Sequence, residues 1–134
     1  KIYSSPTLDD GTIYLGSNDH SLYAINQKSG QLKWKFKTGG NIESTPAIAD
    51  GMVYFGSWDK HMYAIKSDTQ EVVWKQETNG AISSSPLIVD GVVYFASEDG
   101  HLYASDAVTG FRLWDFNAGG SIYSSPAVYG DTVF

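Results

Sequence analysis

Hydrophobic and polar positions along this chain fall into short alternating blocks separated by turn residues, and the blocks return every 40 residues. Residues 81–120 show one unit. Ser84 to Val89 reads as a short first strand that opens on small residues and Pro86. Asp90-Gly91 follows as a two-residue hairpin signal, because a type I′ turn needs positive φ at both central residues. Val92-Val93-Tyr94-Phe95-Ala96-Ser97 is almost continuously apolar, as a strand covered on both faces would be. Glu98-Asp99-Gly100 turns the chain into a third strand, His101 to Ser105. Ala107 to Gly110 turns it into a fourth, Phe111 to Phe116, and Gly119-Gly120 crosses to the next unit. No window carries a convincing 3.6-residue period, so essentially no helix is expected.

The unit occurs three times and then begins again. Ile2-Tyr3-Ser4-Ser5-Pro6 returns as Ile42-Glu43-Ser44-Thr45-Pro46, Ile82-Ser83-Ser84-Ser85-Pro86 and Ile122-Tyr123-Ser124-Ser125-Pro126, and Trp34, Trp74 and Trp114 keep the same spacing. Four antiparallel strands per period, stacked by radial repetition, describe a β-propeller blade. A β-sandwich of evenly spaced strands would share the strand count but not the strict period or the matching turns. The fold expected is therefore all-β: a partial propeller over residues 1–134, with blade repeats at 1–40, 41–80 and 81–120 and the start of a fourth blade at 121–134. Innermost strands crowd around the axis, which suits Ser4, Ser5, Ser44, Ser84 and Ser85. The prolines sit near inner-strand starts, where a missing N–H costs least. The outermost strand carries the tryptophan, suited to wedging between blades.

Charge and cysteine content narrow the function classes. A net charge of −6 and a pI near 4.8 argue against a nucleic-acid footprint. The one local basic cluster, Lys28, Lys33, Lys35 and Lys37, reads as the solvated edge of an outer strand. Without cysteine there is no disulfide framework, thiolate metal site or cysteine nucleophile. Apolar runs reach only about five residues, too short for a membrane-spanning segment, and no targeting signal is present. Asp131-Thr132-Val133-Phe134 aligns with Gly11-Thr12-Ile13-Tyr14 and breaks off inside a strand, so a longer protein is expected. An open ring would expose the apolar flanks of its end blades, and needs further blades or self-association to close.

Ala104-Ser105-Asp106-Ala107-Val108-Thr109-Gly110-Phe111-Arg112-Leu113-Trp114 resembles the tryptophan-docking pattern A-x-D-x-x-T-G-x-x-x-W of the pyrroloquinoline-quinone (PQQ) repeat propellers. The first copy, Ala24 to Trp34, has Asn26 for Asp and Ser29 for Thr. The second, Ala64 to Trp74, has Lys66 for Asp and Gln70 for Gly. The resemblance implies that Trp34, Trp74 and Trp114 pack on a neighbouring blade's turn, shaped by residues such as Asp106, Thr109 and Gly110. It also implies a ring of commonly eight blades and an exported location: periplasmic, extracellular or cell-surface. Two functions follow from it. One is a non-catalytic binding or scaffolding propeller, like the lipoprotein component of outer-membrane assembly machinery or kinase sensor domains. The other is a PQQ- and Ca²⁺-dependent alcohol or sugar dehydrogenase, whose cofactors would lie at the centre of one loop face. The close likeness of the blades and the lack of a cysteine pair or blade-specific insertions favour binding, with no cofactor and no catalytic residue expected.

Strand polarity assigns the repetitive Asp-Gly turns and the third-to-fourth turns to one face. The other face collects the second-to-third turns and the crossovers, which differ between copies: Asn18-Asp19-His20, Trp58-Asp59-Lys60 and Glu98-Asp99-Gly100. Variable loops on one face of a repeat scaffold are its default binding surface. Trp58 stands outside the docking column and is the leading contact candidate, with Lys60, His20, Glu43, Asn18 and Glu98 beside it, for a protein partner or small ligand. Repeated Asp19, Asp59 and Asp99 read as turn-forming carboxylates. His20 is offset from His61 and His101, so the histidines make no metal set. Tyr14, Tyr54 and Tyr94, with Tyr23, Tyr63 and Tyr103, read as packing between blades.

Overall fold

The computed structural model describes all of residues 1–134 and contains only strands and turns. Blade 1 is built from β1 (Thr7–Asp9), β2 (Thr12–Gly16), β3 (Ser21–Asn26) and β4 (Leu32–Lys37). Blade 2 is β5 (Ala47–Ala49), β6 (Met52–Gly56), β7 (His61–Lys66) and β8 (Val72–Glu77). Blade 3 is β9 (Leu87–Val89), β10 (Val92–Ala96), β11 (His101–Asp106) and β12 (Arg112–Asn117). Each is a four-stranded antiparallel meander in chain order, and β13 (Val128–Tyr129) pairs with β14 (Thr132–Val133) in a final two-stranded sheet. No helix exists to cross a membrane.

The turn chemistry matches the sequence. Asp10, Asp50 and Asp90 and the following Gly11, Gly51 and Gly91 all take positive φ, as type I′ hairpins require. The first strand of each blade is shorter than the sequence pattern suggests: Ser84 to Pro86 lie outside β9, which starts at Leu87. The reason is local. Pro86 has no N–H to donate, and Ser84 uses its hydroxyl to bond Ala96 N and O, at 2.9 and 2.8 Å, in place of a backbone ladder. Ser44 does the same for Gly56 N at 2.8 Å, and Ser4 for Gly16 N at 3.2 Å. A second set of hydroxyls links the blades around the axis: Ser5 N donates to Thr45 Oγ1, Thr45 N to Ser85 Oγ, and Ser85 N to Ser125 Oγ. The small residues of the inner strands are thus the hydrogen-bonding hub of the ring.

The core lies between blades rather than within one sheet. Leu22, Val53, Phe55 and Ile65 are fully buried where blades 1 and 2 meet, and Met62, Val93 and Phe95 where blades 2 and 3 meet. Each docking tryptophan faces a small Ala across its strand pair (Ala24↔Trp34, Ala64↔Trp74, Ala104↔Trp114), followed by a one-residue register shift. Trp34 Nε1 donates to Ser67 O of blade 2 at 3.0 Å, and Trp74 Nε1 to Ala107 O of blade 3 at 2.9 Å.

The seat of Trp74 explains the docking motif. Asp106 Oδ1 accepts from Val108 N and Thr109 N, and Thr109 Oγ1 from Phe111 N, which shapes the turn. Gly110 then offers a bare backbone at φ +73°, where a Cβ would stand 2.5 Å from the indole ring. Gln70 takes the same backbone conformation in blade 2, at φ +58°, and its amide donates to Asp68 O. No following turn meets Trp114, which stays 43% exposed on a flank with Leu113, Phe116 and Phe111.

The tyrosine columns pack less simply than their repetition suggested. Tyr14, Tyr54 and Tyr94 tilt against the tryptophan of their own blade, at about 6 Å between ring centres. Tyr54 then reaches the next blade through its hydroxyl, which donates to Ala107 O at 2.9 Å. Tyr63 does pack across blades, edge-on to Phe36 at 5.7 Å, but its hydroxyl is spent within blade 2, on Asp59.

Candidate functional site

Four turn residues connect the second and third strands of each blade, and their backbone bonds place every candidate side chain. The second turn residue lies towards the axis: Asn18 N donates to Lys1 O, Trp58 N to Asn41 O and Glu98 N to Ala81 O, each at 2.9 Å. Those acceptors belong to the crossovers that lead into the inner strands. The fourth turn residue lies towards the rim: His20 O accepts from Thr38 N, and Lys60 O from Thr78 N, each at 2.8 Å, just beyond the outer strands. It takes φ of +72° at His20, +74° at Lys60 and +89° at Gly100, a left-handed position whose backbone role is independent of the side chain.

Each loop also touches the following crossover. Ile42 N donates to Ser17 O, Ile82 N to Ser57 O and Ile122 N to Ser97 O. Loops and crossovers therefore alternate around the axis, in the order Tyr3, Asn18, Glu43, Trp58, Ser83, Glu98, Tyr123. Side chains at the crossover and loop columns meet within a blade, since Ser83 Oγ donates to Glu98 Oε1 at 2.8 Å. Glu43 and Trp58 occupy the same two columns in blade 2. Of the six residues expected to make contacts, Asn18, Glu43, Trp58 and Glu98 come together in this inner arc, whereas His20 and Lys60 stand apart on the rim.

Tyr3, Ser83 and Tyr123 belong to the arc, and sequence reasoning passed over them. A signal was available: they share with Glu43 the one freely varying position of the otherwise constant Ile-x-Ser-Ser/Thr-Pro repeat. Trp58 is 43% exposed with no hydrogen bond from its indole, and Tyr3 and Tyr123 are more exposed still. Glu43 and Glu98 are half-buried. Neither has a cationic partner; the ion pairs are His61–Asp59, Lys66–Glu71 and His101–Asp115. Asn18 Oδ1 is buried with no donor in reach. The arc combines carboxylates that lack ion-pair partners with exposed aromatic surface.

The repeated aspartates are turn carboxylates. Asp59 Oδ1 accepts from His61 N at 3.1 Å, and its Oδ2 from Tyr63 Oη at 2.5 Å and from Gly39 N of the preceding crossover at 3.1 Å. Asp99 repeats this with His101 N, Tyr103 Oη and Asn79 N, and Asp19 bonds Ser21 N and the Tyr23 hydroxyl. The crossover glycines permit the approach: a Cβ on Gly40 would lie 2.5 Å from Asp59 N. Burial pushes the Asp59 and Asp99 carboxyls up, but the tyrosine hydroxyls and backbone N–H groups outweigh it and hold both below the ordinary value. Burial, and then the facing carboxylate, push the Tyr63 and Tyr103 hydroxyls well above theirs. Nowhere do three His, Asp or Glu side chains gather to hold a metal ion.

Radially stacked four-stranded sheets, a hydroxyl hub and tryptophans seated on the next blade's turn define a β-propeller of the PQQ-like repeat class. The family model described as outer membrane protein assembly factor BamB matches residues 1–69 and again 57–134, and the chain belongs to that family. Among solved structures it is similar to BamB from Moraxella catarrhalis, with a TM-score of 0.86 at 20% identity over 98% of this chain and 42% of that one. It is also similar to the quinohemoprotein alcohol dehydrogenase from Comamonas testosteroni (TM-score 0.77, 24% identity, 87% of this chain, 21% of that one). The computationally designed Ika4 protein gives a TM-score of 0.87 at 17% identity, over 99% of this chain and 82% of that one. The chain thus spans about two-fifths or less of the natural structures it matches. No curated protein matches it.

Proposed function

We propose that this chain is part of a non-catalytic binding or scaffolding propeller that recognises a protein partner through the loop face bearing Trp58. One observation carries the reading. On a face whose aspartates, glycines and backbone groups are committed to the fold, a large indole stands exposed, and Glu43 and Glu98 of the same face have no cationic partners. Exposed tryptophans of this kind are frequent anchors of protein interfaces. The family description, an outer-membrane assembly factor, supports a protein partner and an exported location. The blade units are 1–40, 41–80, 81–120 and a begun fourth at 121–134. The bare flank around Trp114 supports a ring completed by further blades or by self-association.

The test is a titration of the chain against the purified soluble domain of an outer-membrane assembly partner. Trp58→Ala should weaken binding about tenfold or more, and Thr109→Ala on the opposite face should leave it unchanged. Unchanged affinity in Trp58→Ala would overturn the reading. A second reading, a PQQ- and Ca²⁺-dependent dehydrogenase, draws on the fold shared with the quinohemoprotein enzyme. The carboxylates and histidines in these blades do not gather into a donor set for Ca²⁺. Quinone absorbance together with dye-linked alcohol oxidation after adding PQQ and Ca²⁺ would establish that alternative.

A further inference from the structure

We infer that the inner arc of the loop face recognises cationic side chains, and that its occupant is an arginine- or lysine-bearing segment of a protein partner. The inference rests on the proposed binding role and adds the chemistry of what is bound. Around the axis the sequence Glu43, Trp58, Ser83, Glu98 alternates carboxylate, indole, hydroxyl and carboxylate, flanked by Tyr3 on one side and Tyr123 on the other. The alternation follows from the backbone bonds that interleave loops with crossovers.

A guanidinium or ammonium group is attracted to the face of an indole, and most strongly where carboxylates lie alongside. Trp58 offers such a face, with Glu43 in the adjoining column and Glu98 one blade further on. Ser83 spends its hydroxyl proton on Glu98 Oε1, so it adds no donor to the surface. Carboxylates without ion-pair partners beside exposed aromatic surface suit a ligand that brings N–H donors and positive charge. Lys60 sits outside the arc, its backbone held at the rim by Thr78 N, and Lys1 stands at the far end of the arc, where its carbonyl accepts from Asn18 N. An acidic ligand would meet Glu43 and Glu98 unopposed, which builds selectivity against it. The overall charge of −6 acts in the same direction at longer range.

The experiment uses the whole chain and three fluorescein-labelled peptides of equal length, alternating Gly with Arg, Lys or Glu, read by fluorescence anisotropy. Binding is expected for the Arg peptide, more weakly for the Lys peptide, and not for the Glu peptide. It should weaken as salt rises. Trp58→Ala should reduce Arg-peptide affinity about tenfold, and Glu43→Gln and Glu98→Gln about threefold each. Lys60→Ala, on the rim, should leave it unchanged or slightly tighter. Failure to bind the Arg peptide at about 1 mM, equal binding of the Glu peptide, or indifference to Trp58→Ala would each overturn the inference. Because the partner titration is separate, Trp58-dependent partner binding without Arg-peptide binding would sink this chemistry and leave the binding role standing.

Discussion

Trp74 and Trp58 belong to the same blade and share a side chain, yet the fold treats them in opposite ways. Trp74 is 8% exposed, donates to Ala107 O and lies on the bare backbone of Gly110. Its indole is held on every side by the joint between blades 2 and 3. Trp58 is 43% exposed: its N–H bonds Asn41 O and its Cβ lies close to Gly40, but its indole nitrogen has no partner. Where a following blade is present, the docking indole has an acceptor in it and a turn to lie on, as Trp34 and Trp74 do. Trp58 stands outside that column, with a following blade beside it and no acceptor for its indole.

The largest effect that tests this contrast is Trp74→Ala. Removing a buried indole should destabilise the chain by about 3–5 kcal/mol, measured as a lower denaturant midpoint. A loss below about 1 kcal/mol would mean that the inter-blade joint does not depend on the docking residue. Trp114→Ala sharpens the same point, since an indole without a seat should cost far less than Trp74.

Gly110→Ala attacks the seat instead of the side chain. The added Cβ would stand 2.5 Å from the Trp74 ring at φ +73°, so overpacking and a left-handed alanine together should cost about 1–3 kcal/mol. Gln70→Gly is the converse in blade 2. It relieves a non-glycine residue at φ +58° and should stabilise by about 0.5–1 kcal/mol. An Ala at position 110 that is tolerated, with no gain from Gly at 70, would break the assignment of the motif glycine to docking.

How far these roles could be read from the sequence depended on repetition. Trp34, Trp74, Trp114 and the Asp-Gly hairpins recur in register, and recurrence exposes whatever each blade must do for itself. The inner-strand limits were less legible, because Ser84 replaces ladder bonds with a hydroxyl that spans to Ala96, a substitution invisible in a propensity pattern. The candidate set was half legible. Trp58, Glu43, Asn18 and Glu98 were found by their variation, but His20 and Lys60 came with them because turn variability alone carries no radial coordinate. Tyr3, Ser83 and Tyr123 were missed because they vary inside a motif whose constancy drew attention to its neighbours.

The aspartate turns that carry the loop face give a pH-dependent test. Asp59 and Asp99 have folded values depressed below the ordinary 3.8, so their stabilisation is present above that value and lost as pH falls through the folded one. Tyr63 and Tyr103 have raised values, so their contribution holds below pH 10.0 and is lost as pH rises beyond it. Thermal stability should therefore stay level near neutrality and fall on both the acid and the strongly alkaline side. Asp99→Asn should shallow the acid limb. An unchanged acid limb in that variant would show that the Asp–Tyr turns do not anchor the face on which Trp58 stands.

The smallest stability loss should come from Trp58→Ala, and its smallness is the test. An indole 43% exposed, with no hydrogen bond from its nitrogen, should cost about 1 kcal/mol or less of unfolding free energy. The same substitution is expected to remove most of the binding, so the two readouts must separate in one variant. In Trp74→Ala they should move together, since a loosened joint displaces the loops of blades 2 and 3 as it destabilises them. If Trp58→Ala instead unfolds the chain, the indole is a structural cover for the Gly39-Gly40 crossover and the contrast between the two tryptophans collapses. If it neither unfolds the chain nor affects binding, the face is not the recognition surface, whatever the exposure of its side chains.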